Sequence, residues 1–288
     1  VTASNYTTGG PGSNTGDLGV TFTAAAAGAL LPLSGQVLNL RSNYENIADQ
    51  KLNIVLAGGA AAYNAAIGNT PSPVNLTAQR VGGTLSTVLT VTNNATAGAF
   101  SEDLNASFSG FVNGATGSGS IAGRLAGTSN TGVGSMSVGL DTTTSGVKSG
   151  TATLAYATAG AVNGVNNGLG VASVGTQLVT VNGNVYAPAV AQLNTPAVNF
   201  GVVRVGDPEP VMTVSVSNTT SGALTDTLRA SLNGSAAPFT ASGTAAAVVA
   251  GATDASNLRV TLNTGTAGVY SGTNAVVTFT SQNPEMAD

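Results

Sequence analysis

AVNFGVVRVGDPEPVMTVSVSNTTSGALTDTLRASLNG, residues 197–234, reads as strand, turn, strand, turn, strand. A gapless partner lies 124 residues upstream, PVNLTAQRVGGTLSTVLTVTNNATAGAFSEDLNASFSG, residues 73–110. Val74-Asn75 aligns with Val198-Asn199, and Arg80-Val81-Gly82 with Arg204-Val205-Gly206. Asn94 meets Asn218, Gly98-Ala99 meets Gly222-Ala223, and Leu104 with Ala106-Ser107 meets Leu228 with Ala230-Ser231. Self-similarity at a fixed period is the mark of a repeat architecture, so the chain is expected to be a tandem array.

Composition narrows the class. Charged residues make up 7% of the 288-residue chain, against about 25% in an ordinary soluble domain. Thirty-nine glycines, with Ala, Ser, Thr, Asn and Val, argue against a helix-rich enzyme. Aromatics at 5% and no Trp imply cores of small β-branched side chains. The net charge is −4 with only eight basic residues, so no basic stripe exists to neutralise phosphates, and nucleic-acid binding is not expected. Absence of Cys and His removes thiol chemistry, disulfides and the commonest metal ligand. No apolar stretch of about 20 residues could span a bilayer as a helix. This composition points to an extracellular or cell-surface protein.

Strand-like runs recur along the whole chain: GVTFTAAA, QVLNLRSN and KLNIVLAG before residue 60, then SIAGRLAGT, MSVGLDTT, SGTATLAYAT and TQLVTVNGNVY. Residues 43–49 read as one helical turn. The alanine-rich runs 23–31 and 244–252 suit a short helix by propensity and a strand edge or loop by their surroundings. The Asn-Gly pairs at 113–114, 163–164, 182–183 and 233–234 suit turns that need positive φ. Pro-marked segments 64–73 and 187–196 read as joints. The predicted division is therefore 1–63, the C-terminal part of a unit; 64–188, a complete unit; and 189–288, a unit lacking its closing strand. Regularly spaced strands with such turns predict an all-β fold of tandem immunoglobulin-like β-sandwich repeats, the first and last incomplete.

The incompleteness has two readings. After Asp49 the chain runs on into QKLNIVLAGGAAAY, whereas the matching segment 281–288 has no such continuation. Either the chain, which opens on Val1 with no initiator Met, is a window on a longer array, or a neighbouring subunit adds its N-terminal strands in donor-strand fashion. The second contact is head-to-tail and non-closing, which generates filaments.

The pattern Val198-Asn199-Phe200, Arg204-Val205-Gly206, a strand, Ser217-Asn218-Thr219-Thr220, and a closing strand such as TVNGNVY ending at Tyr186 resembles the choice-of-anchor D type repeats of proteobacterial surface proteins. These are distantly similar to the immunoglobulin-like ASPM/SPD-2/Hydin sandwich. The resemblance implies a secreted multi-repeat protein without enzymatic activity, and carries no catalytic residues over.

Glu102-Asp103 and Asp207-x-Glu209 are the tight acidic groups. A glycosidase needs two carboxyls across one cleft, and the second group reads as an exposed turn. No catalytic residue and no cofactor are expected. Calcium is the ion that oxygen ligands alone could hold, with Glu45 and Asp49, or Glu285 and Asp288, as candidates. Arg80 and Arg204 recur at one repeat position and read as structural arginines at a strand end, pairing a carboxylate or loop carbonyls. Gly82 and Gly206 follow them at matched positions. Tyr63 and Tyr186 each end a closing strand before a joint and are expected to pack between units. The expected function is a non-enzymatic subunit of a surface fibre or matrix filament, self-associating into a homopolymer. The rival is an adhesin or carbohydrate-binding module.

Overall fold

The computed structural model describes residues 2–3, 20–21, 23–30, 37–40, 50–53, 60–130, 136–271 and 273–286. Every regular element among them is a strand, and none is a helix. The second alanine-rich run forms strand Thr244–Val248, with Ala245 and Val248 buried, because tertiary pairing outweighs the helical preference of Ala. The first gives bends and the short strand Gly28–Ala29. The helical turn expected at 43–49 lies outside the described residues.

The region before residue 64 contributes short antiparallel pairs, Val37–Leu40 with Gln50–Asn53 and Gly28–Ala29 with Ala61–Ala62. From there to Tyr186 one curled sheet of eight strands surrounds a core. Its long members are β1 (Leu104–Val112), β2 (Ala115–Arg124), β3 (Met136–Leu140), β4 (Gly146–Thr158) and β5 (Ala172–Tyr186). The order runs from the short strand Ser86–Val88 through β3, β2, β1, β4 and β5, with Val74–Asn75 and Gln79–Arg80 pairing in parallel with β5. Asn113 and Gly114 take φ of 54° and 75° in the turn between β1 and β2, the double positive φ that an Asn-Gly hairpin supplies. The pair at 182–183, expected as a turn, instead lies inside β5. There Gly183 is needed for space: a Cβ would meet Leu85, Leu140 and Leu76 at 3.1–3.4 Å.

Alternate residues of β4 and β5 fill this core. Ala152, Leu154, Tyr156, Val179, Val181 and Val185 are all buried beside Leu104 and Val138. Tyr156 also carries a polar clamp, its hydroxyl donating to Gln177 Oε1 at 2.9 Å and lying 2.7 Å from Thr70 Oγ1. Burial pushes the phenol pKa up, with the Thr70 contact opposing.

Residues 189–286 form two sheets packed face to face. Their strands are β6 (Val211–Asn218), β7 (Thr227–Asn233), β8 (Phe239–Ser242), β9 (Thr244–Val248), β10 (Thr253–Leu262) and β11 (Val276–Gln282). One sheet has the order Ala191–Leu193, β6, β10, β8, and the other β9, β7, β11. Val214, Val216, Leu258 and Val260 of the first face Leu228, Ala230, Leu232 and Val248 of the second.

A buried asparagine ties each region together in the same way. Asn93 Nδ2 donates to the carbonyls of Glu102 and Arg124, while its Oδ1 accepts from the amides of Ile67 and Ala95. Asn218 Nδ2 donates to Asp226 and Val248, and its Oδ1 accepts from Val190 and Thr220. The gapless sequence alignment, which opposes Asn94 to Asn218, is therefore one residue out here. Asn93 is the counterpart, because only its side chain points inward to meet four buried backbone groups that would otherwise be unsatisfied.

Candidate functional site

Two features stand out, a polar joint at residue 187 and an open groove beside β11. At the joint the chain leaves β5 and pairs at once with the next region: Ala187 N donates to Leu224 O, and Asp226 N donates back to Ala187 O. Into this crossing reaches Arg80, held on the end of β5 by the pairing of Tyr186 with Arg80. Its Nε donates to Asp226 Oδ2 at 2.7 Å and its Nη2 to Ser281 O at 3.2 Å. Ser281 Oγ donates to the same Oδ2 at 2.8 Å, and Asn283 Nδ2 to Oδ1 at 2.6 Å. Asp226 has no exposed side-chain surface, whereas Arg80 keeps 30%. Burial alone would raise the Asp226 pKa. The donors Asn283, Arg80 and Ser281, with the arginine charge, outweigh it and hold the carboxyl below its ordinary value.

The earlier joint repeats this layout without the arginine. Asn64 N donates to Phe100 O, and Glu102 N to Asn64 O. Glu102, 3% exposed, accepts from the Thr158 hydroxyl and from Asn167 Nδ2. Its neighbour Asp103, just before β1, accepts instead the amides of Asn163 and Gly164 at 3.1 and 2.8 Å. The two adjacent carboxylates thus serve separate structural donors and do not form a common pair.

The groove is clearest by comparison with β5. Val181 of β5 pairs with Val74, and Gly183 sits against Leu76, Leu85 and Leu140. By the repeat, Val198 stands for Val74, Phe200 for Leu76 and Leu262 for Leu140. These three line a groove of about 510 Å³ with Val203, Arg204 and Tyr270. An adjoining space of about 440 Å³ is lined by Val198, Val214, Leu232, Val260 and Val277. Among the described residues β11 pairs only with β7, so its other edge is open. Phe200, Phe239 and Tyr270 gather at the groove, with ring centroids 5.7 and 6.5 Å apart.

Gly82 and Gly206 both adopt positive φ, 81° and 85°, and donate to Thr142 O and Thr264 O. Arg204 is exposed, and its guanidinium has no hydrogen bond or ion pair with any described residue. Tyr63 packs on Phe100 at 5.6 Å. Tyr186 is buried at the joint, and that burial, then the neighbouring Glu285, raises its pKa. Of the calcium candidates, Glu45, Asp49 and Asp288 lie outside the described residues. Glu285 accepts from Asn184 Nδ2 at 3.1 Å, and no group of three acidic ligands converges among the described residues. Sequence reasoning did not single out Asp226, Asn93 or the burial of Glu102. The one available signal was their alignment next to matched strands.

No family model and no curated protein matches the chain. Among solved structures it is similar to the crystal structure of the CsuC–CsuE chaperone–tip adhesion subunit pre-assembly complex from archaic chaperone-usher Csu pili of Acinetobacter baumannii. Identity is 12%, coverage is 74% of this chain and 99% of that chain, and the TM-score is 0.32. At that TM-score the likeness carries no argument about this chain.

Proposed function

We propose that the chain is a non-enzymatic extracellular structural protein, a subunit of a surface fibre whose immunoglobulin-like sandwiches join head to tail through β-strand complementation. The observation that carries this reading is the edge of β11 left open among the described residues, beside a space into which Val198, Val214, Leu232, Val260 and Val277 face, at the place that β5 occupies in the preceding region. An unpaired edge beside an accessible apolar core is a template for another strand. A donor strand here would run antiparallel to β11, as β5 does to β4, and drop small apolar side chains where Val179, Val181 and Val185 sit in the complete region. The choice-of-anchor D resemblance fits the same reading, since it implies a multi-repeat surface protein.

Sedimentation and negative-stain microscopy across a concentration series test it, with a peptide of residues 172–186 as competitor. The expected result is concentration-dependent filaments that shorten when the peptide fills the groove. A chain that stays monomeric and does not bind the peptide would overturn the reading. The Phe200–Phe239–Tyr270 cluster favours a second reading, a carbohydrate-binding module, which would show as glycan binding lost on Tyr270→Ala in a monomeric protein.

A further inference from the structure

The Arg80–Asp226 joint has two unmatched halves elsewhere in the chain. Glu102 repeats the acceptor half: a carboxylate buried to 3% exposure, backbone-paired to Asn64 as Asp226 is to Ala187, with a hydroxyl donor (Thr158 for Ser281) and an amide donor (Asn167 for Asn283). What it lacks among the described residues is a cation. Arg204 repeats the donor half, at the position of Arg80, followed by the same positive-φ glycine and the same amide-to-threonine-carbonyl bond. What it lacks is a carboxylate. A buried carboxylate without a cation is costly, and an arginine is the side chain able to serve a carboxylate and a neighbouring carbonyl together.

We infer that Arg204 of one copy enters the Glu102 joint of a second copy, so that an arginine–carboxylate latch sets the register between subunits. The inference rests on the fibre reading and names the residues of its contact. In it the guanidinium donates to the Glu102 carboxylate and to a carbonyl at the end of β4, as Arg80 does to Asp226 and to the carbonyl of Ser281. The occupant is a second copy of this chain because one sequence carries both halves at equivalent positions. Val202, Val205 and Val269, all exposed, lie at the same end as Arg204 and would be covered in the contact.

The test is a double-mutant cycle on self-association of the full chain, read by sedimentation, with Arg204→Ala, Glu102→Gln and the pair. Glu102→Gln keeps the shape, with the amide oxygen still accepting from Asn167 and the amide nitrogen donating to the Thr158 hydroxyl oxygen, and a thermal melt of each variant checks that it folds. Each single change is expected to weaken association at least tenfold, and the double change no further than either single. Arg204→Lys should recover only part, since an ammonium cannot span both acceptors. Full additivity, or unchanged association in Arg204→Ala, would overturn the latch while leaving the fibre reading standing. Absence of self-association in the unsubstituted chain would overturn both.

Discussion

β4 and β11 occupy corresponding places, each paired on one side with the strand that begins just after the buried carboxylate, β1 or β7. Yet they live in different surroundings. β4 has β5 on its other side, and Ala152, Leu154 and Tyr156 are buried to within 4% of full burial. β11 has an open edge among the described residues; its Val277 and Phe279 are half-buried, and Val276 is 60% exposed. The difference teaches that one strand, β5, closes this core. Side chains as small as valine can seal it only when a strand lies along the whole length of β4.

Leu154→Ala and Val277→Ala should break that comparison most visibly. The first removes a fully buried side chain from a closed core and should cost about 3 kcal/mol. The second, at the open edge, should cost less than about 1 kcal/mol in the monomer, since little packing is lost. Urea melts of the two variants decide it, and equal losses would mean that the groove is already closed. The gap should widen in the assembled state, where Val277 becomes core.

Arg80→Ala comes next. It strands the Asp226 carboxylate, which has no exposed surface, and should cost about 3 kcal/mol, at the low end for a broken buried pair because Arg80 is itself partly exposed. Its repeat counterpart, Arg204→Ala, should leave the monomer within about 0.5 kcal/mol of the unsubstituted chain. A similar loss at both positions would mean that Arg204 already has an intramolecular carboxylate.

Acid gives the smallest and most diagnostic effect. The Asp226 pKa is lowered in the folded protein, so its stabilisation is present above the unfolded carboxylate value of about 3.9 and is lost as pH falls through the folded value. Asp141 and Asp254, whose pKa values are also lowered, shift stability in the same direction, mainly through Thr143 for the first and Asn257 against burial for the second. Comparing the unsubstituted chain with Arg80→Ala from neutral pH to pH 3 cancels those two. The expected outcome is a smaller acid loss in Arg80→Ala, and identical slopes would remove the arginine from the account of Asp226.

Much of this was legible from residues 73–110 and 197–234, because a strand needs only its alternation and a turn only its Gly or Asn. A helix-rich fold was argued against by composition, and the matched arginines were visible as a pair. The structure departs where the third dimension chooses between neighbours. Asn93, one residue from the asparagine the alignment favours, takes the four-bond site because its side chain faces the core. Glu102 and Asp103 look like one acidic site in sequence, but Glu102 is taken up by Thr158 and Asn167 and Asp103 by the amides of Asn163 and Gly164. Asn182-Gly183 has the sequence of a turn, yet three leucines close over Gly183 and keep it in β5.

By itself the sequence determined that the chain is built of strands, that residues 73–110 and 197–234 are alike, and that it carries no thiol or imidazole chemistry, since all three are read from composition and pattern. The tertiary structure alone decided which carboxylate Arg80 meets, 146 residues away, and which sheet edge stays open. Both depend on how separate strands come to lie side by side. That is a matter of long-range packing, and local patterns do not encode it.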